Sequence, residues 1–284
     1  MLDERTKASI GPVVAAALAE DVGAGDITAS LVDADAVVGA QVIARQSLVL
    51  CGEAWVNEVF RQLDEAVVVD WYVGDGERTE TDDVVCKLVG AARPLLTGER
   101  TALNFLQTLS ATATATAAYA EAIRGTGARL LDTRKTIPGL RLAQKYAVAC
   151  GGGHNHRAGL FDAILIKENH IRAAGGIATT LRCAAERHAD VPIEVEVENH
   201  DELCEALDAG ARRILLDNFS LDELRQAVET NRSYGYVAAE LEASGNVTLE
   251  TIRDIAGTGV DYVSTGALTK NVDAVDLSML FRID

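Results

Sequence analysis

Hydrophobic and polar positions follow two different rhythms along this chain. Up to about residue 100 the pattern is mixed. An apolar run at residues 13–19 closes on Glu20-Asp21 and predicts an early helix, followed by a loop over residues 20–26. Alternation over residues 36–50 predicts a hairpin or paired strands, and residues 53–63 have helical spacing. Residues 67–73, the turn Gly74-Asp75-Gly76 and residues 83–89 read as strand, turn and strand. Arms that carry lipoate or biotin use a similar hairpin, but Lys87 falls in the second strand rather than at a hairpin tip. Residues 103–124 are rich in Ala-Thr pairs, with Leu103, Leu106 and Leu109 on one face. They predict a long helix packed through small side chains and ended by Gly125-Thr126-Gly127.

From Ala128 the rhythm changes to short apolar runs alternating with helical stretches. The runs are residues 129–131, 163–166, 193–197, 214–216, 236–239 and 262–264, with helices expected over 201–209 and 221–230. Repeated strand–helix units imply a parallel sheet, and short connections favour a barrel over an open sheet. Each run leads into polar residues: Asp132-Thr133-Arg134-Lys135, Lys167-Glu168-Asn169-His170, Glu196-Val197-Glu198-Asn199, Asp217-Asn218, Glu242-Ala243-Ser244-Gly245-Asn246 and Thr265-Gly266-Ala267. Barrel active sites lie at the carboxyl ends of the strands, so these segments are expected to converge on one mouth.

Charge narrows the chemistry. The 284 residues carry 26 Lys and Arg against 43 Asp and Glu, a formal net charge of −17. Such a balance opposes nucleic-acid binding, which needs a basic face. Five cysteines (Cys51, Cys86, Cys150, Cys183, Cys204) without CxxC spacing read as free thiols in a reducing compartment. No run reaches the ~20 apolar residues of a membrane helix, and Met1-Leu2-Asp3-Glu4-Arg5 lacks the basic start of a secretory signal. A cytoplasmic location and no membrane partner are therefore expected.

Against that acidic background three groups stand out. Arg134, Lys135, His156, Arg157 and Lys167, with Arg100 upstream, form a cationic set beside flexible glycines. Arg grips a carboxylate with two parallel bonds and Lys acts as a point charge, so the mixture suits a ligand carrying carboxylates and phosphate. Glu196 and Asp217, each at a strand end, can hold Mg²⁺, accept hydrogen bonds from sugar hydroxyls or stabilise a cationic transition state. Alternation places Glu194 on the same face as Glu196. Ser244-Gly245-Asn246 and Thr265-Gly266-Ala267, in the last two strand ends, match the phosphate site formed by the final loops of many barrels.

Gly98-Glu99-Arg100-Thr101-Ala102-Leu103-Asn104, the stretch from Asp132 through Arg141, Lys145-Tyr146-Ala147-Val148, Gly151-Gly152-Gly153-His154-Asn155-His156-Arg157, Leu165-Ile166-Lys167-Glu168-Asn169-His170, Glu194-Val195-Glu196-Val197-Glu198, Leu216-Asp217-Asn218-Phe219 and Gly266-Ala267-Leu268-Thr269 together resemble the quinolinate phosphoribosyltransferase family. The resemblance runs from about Glu20 to the carboxyl end. It implies an amino-terminal α/β sandwich over residues 1–102, an incomplete TIM-like α/β barrel of type II phosphoribosyltransferases over 103–270, and a tail, 271–284, packing on the first domain. It also implies a homodimer in which Arg100 reaches the neighbouring subunit's site. The implied reaction joins quinolinate and phosphoribosyl pyrophosphate, with Mg²⁺, to give nicotinate mononucleotide, pyrophosphate and CO₂.

Carried over residue by residue, the resemblance assigns Arg100, Arg134, His156, Arg157 and Lys167 to the quinolinate carboxylates, with Thr133 beside them. Lys135 falls between the two substrates, and Glu196 and Asp217 face the ribose and Mg²⁺. Ser244, Gly245, Asn246, Thr265, Gly266 and Ala267 hold the 5′-phosphate. Lys135, Glu196 and Asp217 are the implied catalytic set. Two alternatives stay open: a related type II phosphoribosyltransferase acting on nicotinate or another ring acid, and a non-catalytic sensor of a phosphorylated metabolite.

Overall fold

The computed structural model describes residues 2–235 and 238–282. In chain order the first elements are α1 (Glu4–Val22), β1 (Val37–Ala44), β2 (Leu48–Val49), α2 (Glu53–Leu63), β3 (Val68–Trp71), β4 (Arg78–Thr79), β5 (Val84–Ala91) and α3 (Ala92–Ala122). There follow β6 (Arg129–Leu131), α4 (Arg141–Cys150), β7 (Ile164–Ile166), α5 (Glu168–Ala174), α6 (Ile177–Arg187), β8 (Ile193–Val197), α7 (His200–Asp208) and β9 (Arg213–Asp217). The last are α8 (Leu221–Ser233), β10 (Glu240–Ser244), α9 (Ile252–Ala256), β11 (Tyr262–Ser264), α10 (Ala267–Lys270) and β12 (Leu277–Arg282). Two compact units divide them: Met1–Ala117, Thr136–Gly152 and Asn271–Asp284 form one, Ala118–Lys135 and Gly153–Lys270 the other.

In the first unit, α1 starts at Asp3, whose carboxylate accepts the Thr6 N–H at 2.6 Å, and it buries Ile10, Val14 and Leu18 at four-residue spacing. An antiparallel sheet runs in the order β12-β1-β5-β3. The hairpin expected over residues 36–50 is not formed: β1 pairs with β5 and β12, while β2 pairs with β4. Local alternation identified the strands, but partners more distant in sequence took their edges. Lys87 lies within β5 opposite Gln41 and Asp70, its ammonium 5.2 Å from the centre of the Tyr72 ring. Helix α3 begins eleven residues earlier than the Leu103 expected, because Pro94 falls in its first turn, where a missing N–H costs nothing.

Small residues set how closely α3 is approached. A Cβ on Gly98 would lie 2.7 Å from the Phe60 ring, and one on Gly151 would lie 2.3 Å from the Ala113 carbonyl oxygen. Those glycines seat α2 and the end of α4 directly on the long helix, which is what its Ala-Thr composition permits.

The second unit is a six-stranded parallel sheet ordered β6-β11-β10-β9-β8-β7, flanked by helices: the incomplete barrel expected from the sequence. Strands β6, β8 and β11 coincide with their apolar runs. The run at residues 236–239 does not become a strand where it is described: Tyr236 and Val237 lie outside the described residues, Ala238 and Ala239 are irregular, and the strand is Glu240–Ser244. That strand is Glu-Leu-Glu-Ala-Ser, with Glu242 fully buried, so its hydropathy masks it. Helix α8 carries a capping box, Ser220 with Glu223, which fixes its start after β9.

Candidate active site

The candidate site lies in the second unit, at the carboxyl ends of the strands. Leaving β6, Asp132 is fully buried and its carboxylate accepts the His156 N–H at 2.9 Å. The Thr133 hydroxyl accepts the Lys135 N–H at 3.0 Å, and the Thr269 hydroxyl donates to the Lys135 carbonyl at 2.7 Å. These bonds hold the turn by its backbone. The Lys135 stem packs on Gly266, where a Cβ would fall 2.8 Å from Lys135 Cδ and 3.3 Å from Thr133 Oγ1. The loops after β6 and β11 are thereby brought together.

A second meeting point joins the ends of β9 and β10. Asn218 donates to the Asp217 carboxylate at 2.8 Å, and its own amide oxygen accepts from Asn246 at 3.3 Å. Asn218 and Asn246 both adopt positive φ, 59° and 49°, a conformation that asparagine tolerates well. Between them, Gly245 has φ 99°, and a Cβ there would collide with the Asn218 amide oxygen at 2.2 Å. Asp217, Asn218, Gly245 and Asn246 therefore form one interlocked rim, with Ser244 beside it: the Asn218 N–H donates to the Ser244 carbonyl at 2.9 Å. Asn218 is not among the candidate residues of the sequence, although its place directly after a strand-end Asp is the available signal. Thr265 is buried; its hydroxyl donates to the Val247 carbonyl at 3.3 Å and accepts the Ala267 N–H at 3.1 Å, so it shapes the loop that presents Gly266 and Ala267.

Lys167 forms an ion pair with Glu196, joining the ends of β7 and β8. Glu198, one residue beyond β8, has its carboxyl held above the ordinary range by the charge of Glu168, then by Glu202, Asp217 and Glu196. The acidic side of the mouth is thus crowded with negative charge.

His156 and Arg157 occupy a different level. Together with Ile164 and Ile193, the first residues of β7 and β8, they line a cavity of about 360 Å³. His156 Nδ1 accepts the Arg157 N–H at 2.7 Å, which in the neutral ring puts the proton on Nε2, 2.8 Å from Glu194 and 3.6 Å from Glu242. Burial opposes a charge on this imidazole, but the Glu194 hydrogen bond and the Glu242 charge outweigh it and raise the pKa. Arg157 donates to the Ala163 carbonyl at 3.3 Å; burial first, then the charge of Arg134, lowers its pKa. Arg134 is thus near enough for its charge to be felt at Arg157. Arg100 is exposed on α3, in the first unit.

Beneath the mouth, Arg213 bridges two buried carboxylates: Nε to Glu194 at 3.1 Å and Nη2 to Glu242 at 2.8 Å, with its guanidinium 4.2 Å from the centre of the Tyr262 ring. Arg213→Ala leaves those acids facing each other and is expected to cost about 3 kcal/mol, because breaking a buried pair strands a charge. The expected readout is a lower urea midpoint with an unchanged slope, partly restored in Arg213→Lys.

Residues 26–110 match the quinolinate phosphoribosyl transferase N-terminal domain and residues 112–280 the C-terminal domain. The chain belongs to the quinolinate phosphoribosyltransferase family. Within that family it is 42% identical over 270 residues to a nicotinate-nucleotide pyrophosphorylase [carboxylating] of Mycobacterium leprae, covering 93% of this chain and 94% of the relative. A mitochondrial quinolinate phosphoribosyltransferase [decarboxylating] of Nicotiana tabacum is 38% identical over 288 residues, covering 94% and 80%. The solved nicotinate-nucleotide pyrophosphorylase of Francisella tularensis superposes with a TM-score of 0.94 at 47% identity, covering 97% of both chains.

Proposed function

We propose that this chain transfers the phosphoribosyl group of phosphoribosyl pyrophosphate to the ring nitrogen of quinolinate, giving nicotinate mononucleotide, pyrophosphate and CO₂. One observation carries the reading of the site beyond family membership. Lys135 rests on Gly266, so a cation stands where the Arg134 loop meets the glycine loop after β11. A dicarboxylate held on the Arg134–Arg157 side and a phosphorylated ribose on the Gly266–Gly245 side would meet at that ammonium.

Roles follow from charge. Arg134 and Arg157 suit the two carboxylates, since their mutual repulsion is relieved by an anion between them. Lys135 neutralises charge developing on the departing pyrophosphate, while Glu196 and Asp217 face the electron-poor ribose carbon. Ser244, Gly245, Asn246, Thr265, Gly266 and Ala267 surround the 5′-phosphate through backbone and short side chains. Once the ring nitrogen is bonded to ribose it is cationic, so charge left at C2 by departing CO₂ is stabilised by its neighbour. The protein then contributes chiefly position and field.

Glu196 and Asp217, at the carboxyl ends of β8 and β9, offer hard oxygen donors and are the residues that would hold Mg²⁺. When bound, the ion would neutralise pyrophosphate charge. We also infer a cytoplasmic homodimer in which Arg100 completes the partner's site. Among the described residues no helix is long and apolar enough to cross a membrane.

The test is a direct assay with each ring acid and phosphoribosyl pyrophosphate. Quinolinate should release pyrophosphate and CO₂ in equal amounts; product from nicotinate alone would overturn the reading. Tight binding without any pyrophosphate release would support a sensor instead.

A further inference from the structure

The first unit buries a cluster of ionisable groups that the reaction does not use. Cys51 is fully buried just before α2. Its N–H donates to the Ser110 hydroxyl at 2.9 Å, and that hydroxyl donates back to the Cys51 carbonyl at 3.2 Å. Cys150 is the last residue of α4 and only half-buried. The two sulfurs and a carboxylate oxygen of Asp75 all lie within 4.8 Å of one another.

Two ligand chemistries fit such a cluster, a thiophilic metal or an oxidant, and the hydrogen bonds favour the second. Asp75 is already engaged at both oxygens. Oδ1 accepts the Gly52 and Glu53 N–H groups at 2.7 and 3.1 Å, capping α2, and Oδ2 accepts the Tyr146 hydroxyl at 2.9 Å. The carboxylate thus serves as a bracket between the start of α2 and the body of α4, leaving the sulfurs to each other. The site is also tightly enclosed: a Cβ on Gly76 would lie 3.3 Å from the Cys150 carbonyl oxygen, and the Trp55 and Tyr146 rings pack with centroids 5.8 Å apart.

The two thiols are unequal. Burial, followed by the hydrogen bond to Cys150, pushes the Cys51 thiol well up, whereas that same bond, together with one from Tyr146, lowers Cys150. The more exposed sulfur is therefore the one whose proton is held less tightly.

We propose that Cys150 and Cys51 form a peroxide-reactive dithiol, Cys150 attacking the oxidant and Cys51 resolving it to a disulfide that staples the end of α4 to the start of α2. In the first step the Cys150 thiolate attacks one peroxide oxygen; the S–O bond forms, the O–O bond breaks and water leaves after taking up a proton. In the second, the Cys51 sulfur attacks Cys150, the S–S bond forms, the S–O bond breaks, and the departing hydroxide leaves as water with the Cys51 proton. The sulfurs together lose two electrons to one hydrogen peroxide. Closure to the ~2.05 Å of a disulfide draws together two sulfurs that already share one cluster with Asp75. The staple lies three residues ahead of Gly153, where the chain enters the unit carrying His156 and Arg157.

The experiment treats the full-length protein with hydrogen peroxide, alkylates remaining thiols, and maps peptides by mass. A Cys51–Cys150 peptide lacking two hydrogens and reversed by dithiothreitol is expected, while Cys86, Cys183 and Cys204 remain alkylated. Cys150→Ser should slow loss of the first thiol about tenfold. Cys51→Ser should stop at a sulfenic acid on Cys150 that dimedone captures. Should the buried Cys51 variant not fold, the wild-type peptide map decides alone. Oxidation confined to Cys183 or Cys204 would overturn the proposal, as would stoichiometric zinc in the purified protein protecting Cys51 and Cys150.

Discussion

Lys135→Ala is expected to lower kcat for quinolinate-dependent pyrophosphate release about 10³-fold, the loss typical when one charge-stabilising group is removed from a pre-organised site. The change should fall on kcat more than on KM, because the ammonium is proposed to meet charge that develops only as pyrophosphate departs. Stability should hardly move. Lys135 is exposed, and the bonds from its N–H to Thr133 and to its carbonyl from Thr269 use the backbone and survive truncation. A thermal midpoint like that of the unaltered chain, beside a collapsed kcat, would separate chemistry from folding. Lys135→Arg should recover only part of the rate: it keeps the charge but needs more room over Gly266, where the lysine stem is already at packing distance. Unchanged turnover in Lys135→Ala would refute the role given to this residue while leaving the quinolinate assay to judge the reaction itself.

Where the sequence was readable, a single local signal sufficed. Strands β6, β7 and β8 are runs that end in polar residues, and the same change that marked their ends also marked Lys135, Lys167 and Glu196. Strand β10 escaped because Glu242 looks like a surface residue until Arg213, on the neighbouring strand, is known to hold it. Charge compensation of that kind is a tertiary fact, invisible to hydropathy. The hairpin expected over residues 36–50 failed for a related reason: alternation identifies a strand but not its partner, and β12 comes from the far end of the chain to pair with β1. His156 shows the limit for site residues. Its place in a cationic motif marks it as a candidate carboxylate ligand; its Nε2 faces Glu194 and Glu242 and its Nδ1 accepts a backbone N–H. In this structure His156 is tied into the acids beneath the mouth. Motif membership located the residue, and only the fold supplied its neighbours.

Arg100→Ala, mixed with Lys135→Ala, provides the sharpest test of how the site is assembled. Each variant alone is expected to be nearly inactive. The cationic supply within the second unit is limited: Lys167 is paired with Glu196, and His156 is engaged by buried carboxylates. Arg134 and Arg157 are the guanidinium groups of that unit proposed to meet a ligand with two carboxylates, and a further Arg would complete the complement. Arg100 is exposed on α3, whose buried side is fixed by Gly98 against Phe60, so its charge is directed outward from that packing. If each site takes Arg100 from one subunit and Lys135 from the other, a mixed dimer has one intact site and one lacking both residues. Equal mixing puts half the dimers in that state, so recovery should approach about one-quarter of the unaltered activity once subunits have exchanged. Recovery that grows with exchange time and then levels near this value supports a shared site. If exchange is demonstrated by a tagged subunit and activity stays at the level of the separate variants, Arg100 does not act across the interface.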